Sequence, residues 1–122
     1  MKFSTSLKFN HIFQRLYRSR GQANSLLVLY ARRNKTGVNR VGITASKKLG
    51  KAHIRNRIRR RVREVYRLNE DKFQPGWDIV VVVRSKAIEA DFLVVRSKAI
   101  EADFSQLTEA YLTLAKKAGI LK

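Results

Sequence analysis

From Ala52 to Asn69 the apolar side chains recur at one spacing only. Ile54, Ile58, Val62 and Val65 fall within an arc of about 80° on a wheel turning 100° per residue. A helix over residues 52–69 is predicted, and its narrow apolar stripe obliges the chain to supply a second layer against which to bury it. The rest of the wheel carries Arg55, Arg59, Arg63, Asn56, Arg67 and Arg60. Arg61 falls at about −20°, beside the apolar arc, where its stem can pack while its charge reaches out. Residues 47–67 hold ten Lys or Arg against Glu64 alone. Like charges at i, i+4 destabilise an isolated helix by about 0.2–0.5 kcal/mol per pair, so the Arg55/Arg59/Arg63 row requires an offsetting gain. Phosphate supplies one, because guanidinium groups bind it bidentately and Lys47, Lys48 and Lys51 precede the helix, where its first amides also favour anions.

The flanking segments read as strands and further helices. Phe9, Ile12, Phe13, Leu16 and Tyr17 recur at helical spacing over residues 7–19, which predicts a first helix. Ser25–Ala31 is an apolar-rich strand ending in the polar run Arg32 to Gly37. Over Asn39–Ser46, Val41, Ile43 and Ala45 alternate with Arg40, Gly42, Thr44 and Ser46, so one face is core and the other is small and polar, open to close approach by a ligand. After Gln74-Pro75-Gly76, the run Asp78–Val83 is continuously apolar beyond its first residue, as expected of a strand buried on both sides. A last helix is predicted from Ser105 to Ala118, with Phe104, Leu107, Tyr111, Leu114 and Ala118 on one face, Asp103 and Gln106 at its cap and Gly119 ending it.

The charge is divided unevenly. Residues 1–67 carry 19 Lys or Arg and one acid, whereas residues 68–122 carry eight of each sign, so the whole net charge of +18 belongs to the first half. Unrelieved like charge opposes compaction, and a polyanionic partner is the economical explanation. Hydrolysis by protein carboxylates is not expected, since a two-metal site needs clustered acids and the basic half offers Glu64 alone. His11 and His53 have no second ligand at metal-site spacing and read as surface residues, so no protein-bound metal is expected. There is no cysteine, the N-terminus has no signal-like apolar core, and no apolar run approaches membrane-spanning length. A soluble cytoplasmic protein is the expectation, and 122 residues suit a single domain.

One feature is foreign to this pattern. Residues 82–92, Val82 through Phe92, recur letter for letter as residues 94–104. Two copies are too few for a solenoid, which needs about three. An in-frame duplication or an artefact accounts for them equally well, and the first copy, preceded by Ile79-Val80-Val81, is the better fit to the strand, with residues 85–103 as a surface excursion or an added helical segment.

The string Arg55-Asn56-Arg57-Ile58-Arg59-Arg60, preceded by Val41-Gly42-Ile43-Thr44-Ala45-Ser46-Lys47-Lys48-Leu49-Gly50-Lys51-Ala52, resembles the signature of the bacterial ribonuclease P protein subunit. Weaker likeness at Phe13, Tyr17, Asn24 and Val28-Leu29-Tyr30, and from Trp77 to the last helix, extends it over the chain. The resemblance implies an α+β fold, a two-layer sandwich of order α-β-β-β-α-β-α with a four-stranded sheet and a left-handed βαβ crossover through the arginine-rich helix. The fourth strand would then be one half of a hairpin around Lys35-Thr36-Gly37. It also implies an endoribonuclease subunit that assists removal of the 5′ leader of precursor tRNA, with catalysis by an RNA component and its Mg²⁺, and no DNA partner. Lys47, Lys48, Lys51, Arg55, Asn56, Arg57, Arg59, Arg60, Arg63 and Arg67 would bind the catalytic RNA. Phe13, Tyr17, Tyr30, Thr44 and Ser46 would bind the leader, where base stacking on an aromatic ring, worth about 1–3 kcal/mol, tolerates any sequence; aromatics at helical spacing also suit a core, and Phe13 fits either place equally. The sequence departs from the family at Arg61, where an apolar residue is commoner, and in an N-terminus lighter in Lys and Arg.

Two other readings fit the composition. A basic ribosomal or chaperone RNA-binding protein without a role in cleavage would be as cationic. A membrane-surface or calmodulin-binding helix would also be basic and amphipathic. The helix 52–69 lacks the Trp and Phe such helices favour, and a β-rich remainder needs its apolar face.

Overall fold

The structure, a computed structural model, describes residues 4–6, 21–89 and 105–122. The predicted first helix, with Phe13 and Tyr17, and the second repeat copy lie outside the described residues, as does the predicted cap Asp103. The elements are β1 (Ser4–Ser6), β2 (Gln22–Ala23), β3 (Leu27–Arg33), β4 (Asn39–Thr44), α1 (Ala52–Asn69), β5 (Trp77–Val83) and α2 (Ser105–Lys117), with single 3₁₀ turns at Lys47–Leu49 and Glu70–Lys72 and a helical segment over 85–89. Among the described residues no helix is long and apolar enough to cross a membrane.

One mixed sheet runs in the order β1-β4-β5-β3-β2. β5 lies in the middle, parallel to β4 through Val41↔Ile79 and antiparallel to β3 through Leu29↔Val81. Two expectations change here. The segment around Lys35-Thr36-Gly37 joins β3 to β4 but makes no hairpin, because β5 is inserted between those strands. The fourth strand of the sandwich is instead β2, paired with β3 through Gln22↔Leu29, and β1 adds a fifth strand in parallel with β4. Neither is long enough to show a period of two. β2 is fixed by its turn, where Asn24 Oδ1 accepts from the amides of Leu26 and Leu27 at 3.0 and 2.9 Å and Asn24 Nδ2 donates to the Ala110 carbonyl of α2 at 3.1 Å.

Strand alternation sorts the sheet into two faces. On one, Leu27, Leu29, Val41, Ile79, Val81 and Val83 pack with Ile58, Val62, Val65 and Tyr66 of α1 and Leu107, Tyr111 and Leu114 of α2 to form the core. Tyr66, Phe73 and Tyr111 close its lower end, with ring centroids 4.9 to 6.3 Å apart. Asn39 satisfies a buried junction there: its Nδ2 donates to Tyr66 Oη at 3.1 Å and its Oδ1 accepts from the Trp77 amide at 2.8 Å. α2 stops at Gly119, whose φ of 74° suits glycine, with the Gly119 amide donating a hydrogen bond to the Lys116 carbonyl and the Ile120 amide donating one to the Ala115 carbonyl. The first repeat copy enters the sheet, since Val82 and Val83 end β5. Its Ala87 is fully buried in the core, so at that residue the segment following the strand is a helical part of the domain and not a surface excursion.

Candidate nucleic-acid interface

α1 forms over the predicted residues, and its two sides divide as the wheel requires. Ile58, Val62 and Val65 are buried, whereas Asn56, Arg60, Arg63 and Arg67 are exposed and Arg55, Arg57 and Arg59 are half-buried along the edges. A helix of 18 residues spreads this charge over about 27 Å. Several side chains are already ordered. Arg55 Nε donates to the Gly50 carbonyl at 3.2 Å, and Arg59 Nη2 donates to Asn56 Oδ1 at 2.5 Å. Arg67 is paired with Glu64 through both carboxylate oxygens, and that hydrogen bond holds the Glu64 carboxyl below its ordinary range. Arg61, absent from the predicted site, is half-buried and lines a shallow hollow of about 400 Å³ with Arg57, Arg60 and Glu64. Its position beside the apolar arc was the sequence signal that could have placed it there.

Lys47 and Lys48 are exposed on the 3₁₀ turn, and exposed Lys51 occupies the α1 N-cap with no side-chain cap and no acid in the first turn. The cations therefore extend from the helix face around its N-terminus, where unpaired amides add to the attraction for anions.

The second face of the sheet is built in rows across β4, β5 and β3. Arg40, Asp78 and Arg32 form one row, Gly42, Val80 and Tyr30 the next, and Thr44, Val82 and Val28 the third. Tyr30 and Thr44 are thus brought to one face and are half-buried, while Ser46 is exposed just past the end of β4. Tyr30 lies against Gly21, where an added Cβ would come within 2.7 Å of the ring, so a glycine is needed for this approach. The sequence marks Arg40 as an alternating polar residue but not as a site residue, and it places Arg32 at the start of a polar, turn-like run. Asp78, the charged start of an apolar strand, holds Arg40: Arg40 Nε and Nη2 donate to its two carboxylate oxygens at 2.7 and 2.6 Å, and Asn34 Nδ2 donates to Oδ1 at 2.9 Å.

A helix presenting a nearly acid-free guanidinium array, packed on a sheet whose other face mixes aromatic, small and cationic side chains, defines a single-layered-sheet α+β nucleic-acid-binding protein. Residues 1–119 match the Ribonuclease P family. The chain is 41% identical to the ribonuclease P protein component of Alkaliphilus oremlandii, over 99% of this chain and 96% of that one. It is 46% identical to the corresponding protein of Clostridioides difficile over 70% of this chain and 77% of that one. Among solved structures, the Staphylococcus aureus RNase P protein superposes with a TM-score of 0.77 at 30% identity, covering 96% and 97% of the two chains. The Thermotoga maritima RNase P protein gives 0.65 at 32% identity, covering 85% and 96%. The chain belongs to the ribonuclease P protein family.

Proposed function

We propose that this chain, a ribonuclease P protein component by family, works in the cytoplasm by gripping the catalytic RNA with α1 and holding the single-stranded 5′ leader of precursor tRNA on the second face of its sheet. The observation that carries this reading is the separation of two surfaces. The arginine side of α1, with Lys47, Lys48 and Lys51, suits a folded RNA backbone. Tyr30, Thr44 and Ser46, together with Phe13 and Tyr17 from outside the described residues, suit unpaired nucleotides that stack. Cleavage falls to the RNA and its Mg²⁺. Mg²⁺ takes oxygen ligands, chiefly carboxylates, and on the α1 face the one carboxylate, Glu64, is engaged by Arg67. The protein neutralises phosphate, which lowers the Mg²⁺ the RNA needs, and orients the leader.

The test is cleavage of precursor tRNA by a bacterial ribonuclease P RNA at limiting Mg²⁺, with and without the protein. Faster cleavage with the protein is expected, and equal rates would overturn the reading. The two surfaces should also fail separately. Arg55→Ala with Arg59→Ala weakens assembly with RNA in the absence of substrate, whereas Tyr30→Ala weakens only substrates that carry a leader.

A further inference from the structure

We propose that Arg32 and Arg40, set on either side of Asp78, form a backbone-phosphate subsite for the leader, one strand period beyond Tyr30. The inference rests on the reading that the leader lies on this face, and it assigns the contact that fixes the leader's position along it.

The register supplies the geometry. Arg32, Asp78 and Arg40 are direct cross-strand partners on β3, β5 and β4, so the two arginines flank the carboxylate with Cα atoms about 10 Å apart. Tyr30 stands two residues from Arg32 on the same strand and the same face, a displacement of about 6.6 Å, which is the scale of one extended nucleotide. A base stacked on Tyr30 therefore brings a neighbouring phosphate to the arginine row.

The row is also prepared for an anion. Asp78 is nearly buried, with a side chain 8% exposed, and takes two of the five N–H donors of Arg40, whose side chain stays 30% exposed. Three donors of Arg40 are left uncommitted to Asp78, on a guanidinium already fixed in place. Asn34 fixes the carboxylate in turn, and the Asn34 amide donates to the Gly76 carbonyl at 2.8 Å, so the support is tied to the turn before β5. Arg32 is exposed and has no acidic partner among the described residues. One carboxylate against two guanidinium groups leaves the row with a net positive charge, and the outer cation is the unneutralised one. A row serving stability alone would need Arg40 and Asp78 but not Arg32.

The experiment uses the holoenzyme assembled with a bacterial ribonuclease P RNA, and precursor tRNAs in which single leader phosphates are replaced in turn by neutral methylphosphonates. With the unaltered protein, one neutral linkage is expected to cost about three- to tenfold in affinity. Arg32→Ala, an exposed change that leaves the buried pair intact, should cost the same factor on precursor and nothing on mature tRNA. In that variant the same neutral linkage should cost nothing further, and the salt slope for leader binding should fall by about 0.7. Arg32→Lys should recover part of the loss. A linkage cost unchanged by Arg32→Ala overturns the subsite. If Tyr30→Ala shows leader dependence and Arg32→Ala does not, the subsite alone is wrong. If both variants lose equally on precursor and mature tRNA, the leader reading falls and the subsite with it.

Discussion

Glu64 is the one acid in residues 1–67, and it sits within the surface that would face RNA. Its bond to Arg67 costs that surface twice, by adding a negative charge and by occupying a guanidinium. Glu64→Gln should therefore raise affinity for ribonuclease P RNA on the order of threefold at low salt and leave the melting midpoint unchanged, as both partners are largely solvated. The pH dependence has a definite sign. The hydrogen bond from Arg67 lowers the Glu64 pKa, so the pair is intact above the ordinary carboxylate range and lost as pH falls through the lowered value. Wild-type affinity should rise toward that of Glu64→Gln on acidification, whereas the variant stays flat; filter binding of both proteins across acidic pH checks it. Single polar residues were the least legible part of the sequence. Asn24 stands out in the sequence only through family likeness and Asn39 only as a strand start, yet each satisfies backbone or hydroxyl groups far along the chain. Their partners are set by tertiary approach, which no local spacing encodes.

At the level of elements, long periodic segments were readable and short ones were not. α1 was legible because four apolar residues on one arc admit no strand reading, and β5 because five apolar residues in succession demand cover on both faces. β1 and β2 span three and two residues, too few for any period, and exist because β4 and β3 offer them an edge. The pairing order was equally hidden, since inserting β5 between β3 and β4 leaves no mark in the segment that joins them. The candidate site was legible on α1, where the charge is its own signal, and half-legible on the sheet, where Tyr30 and Thr44 were named but the arginine row needed the register. The charged side of α1 carries a cost in the free protein. Arg63 lies at i, i+4 from both Arg59 and Arg67, and each like-charge pair costs about 0.2–0.5 kcal/mol, so Arg63→Ala should stabilise the free protein by about 0.4–1 kcal/mol. The same change should weaken RNA binding. Thermal unfolding in low salt, alongside RNA affinity, checks the opposed signs.

Over the whole molecule, the repeat is the feature that fold and function leave unexplained. The first copy, as far as Glu89, ends β5 and buries Ala87, so a chain lacking one period keeps every core residue found among the described residues. Removing residues 93–104 joins Asp91-Phe92 to Ser105, and removing residues 82–93 yields the same sequence. The shortened protein should fold with a melting midpoint within a few degrees of the parent, because loop-closure cost grows slowly with length, and it should support cleavage equally. A large fall in midpoint would show the second copy to be part of the core. The central place of β5 has a consequence of another kind, for a chain still on the ribosome. β3 and β4 are made first, with only the short β2 and β1 to pair with, and the strand that joins them comes last. At ordinary elongation rates the stretch from Ala45 to Val83 takes about two to eight seconds to synthesise. For that interval the nascent chain carries two strands whose main partner does not yet exist, and the positive charge gathered in its first half then has a second use, keeping neighbouring copies on a polysome from pairing their open edges.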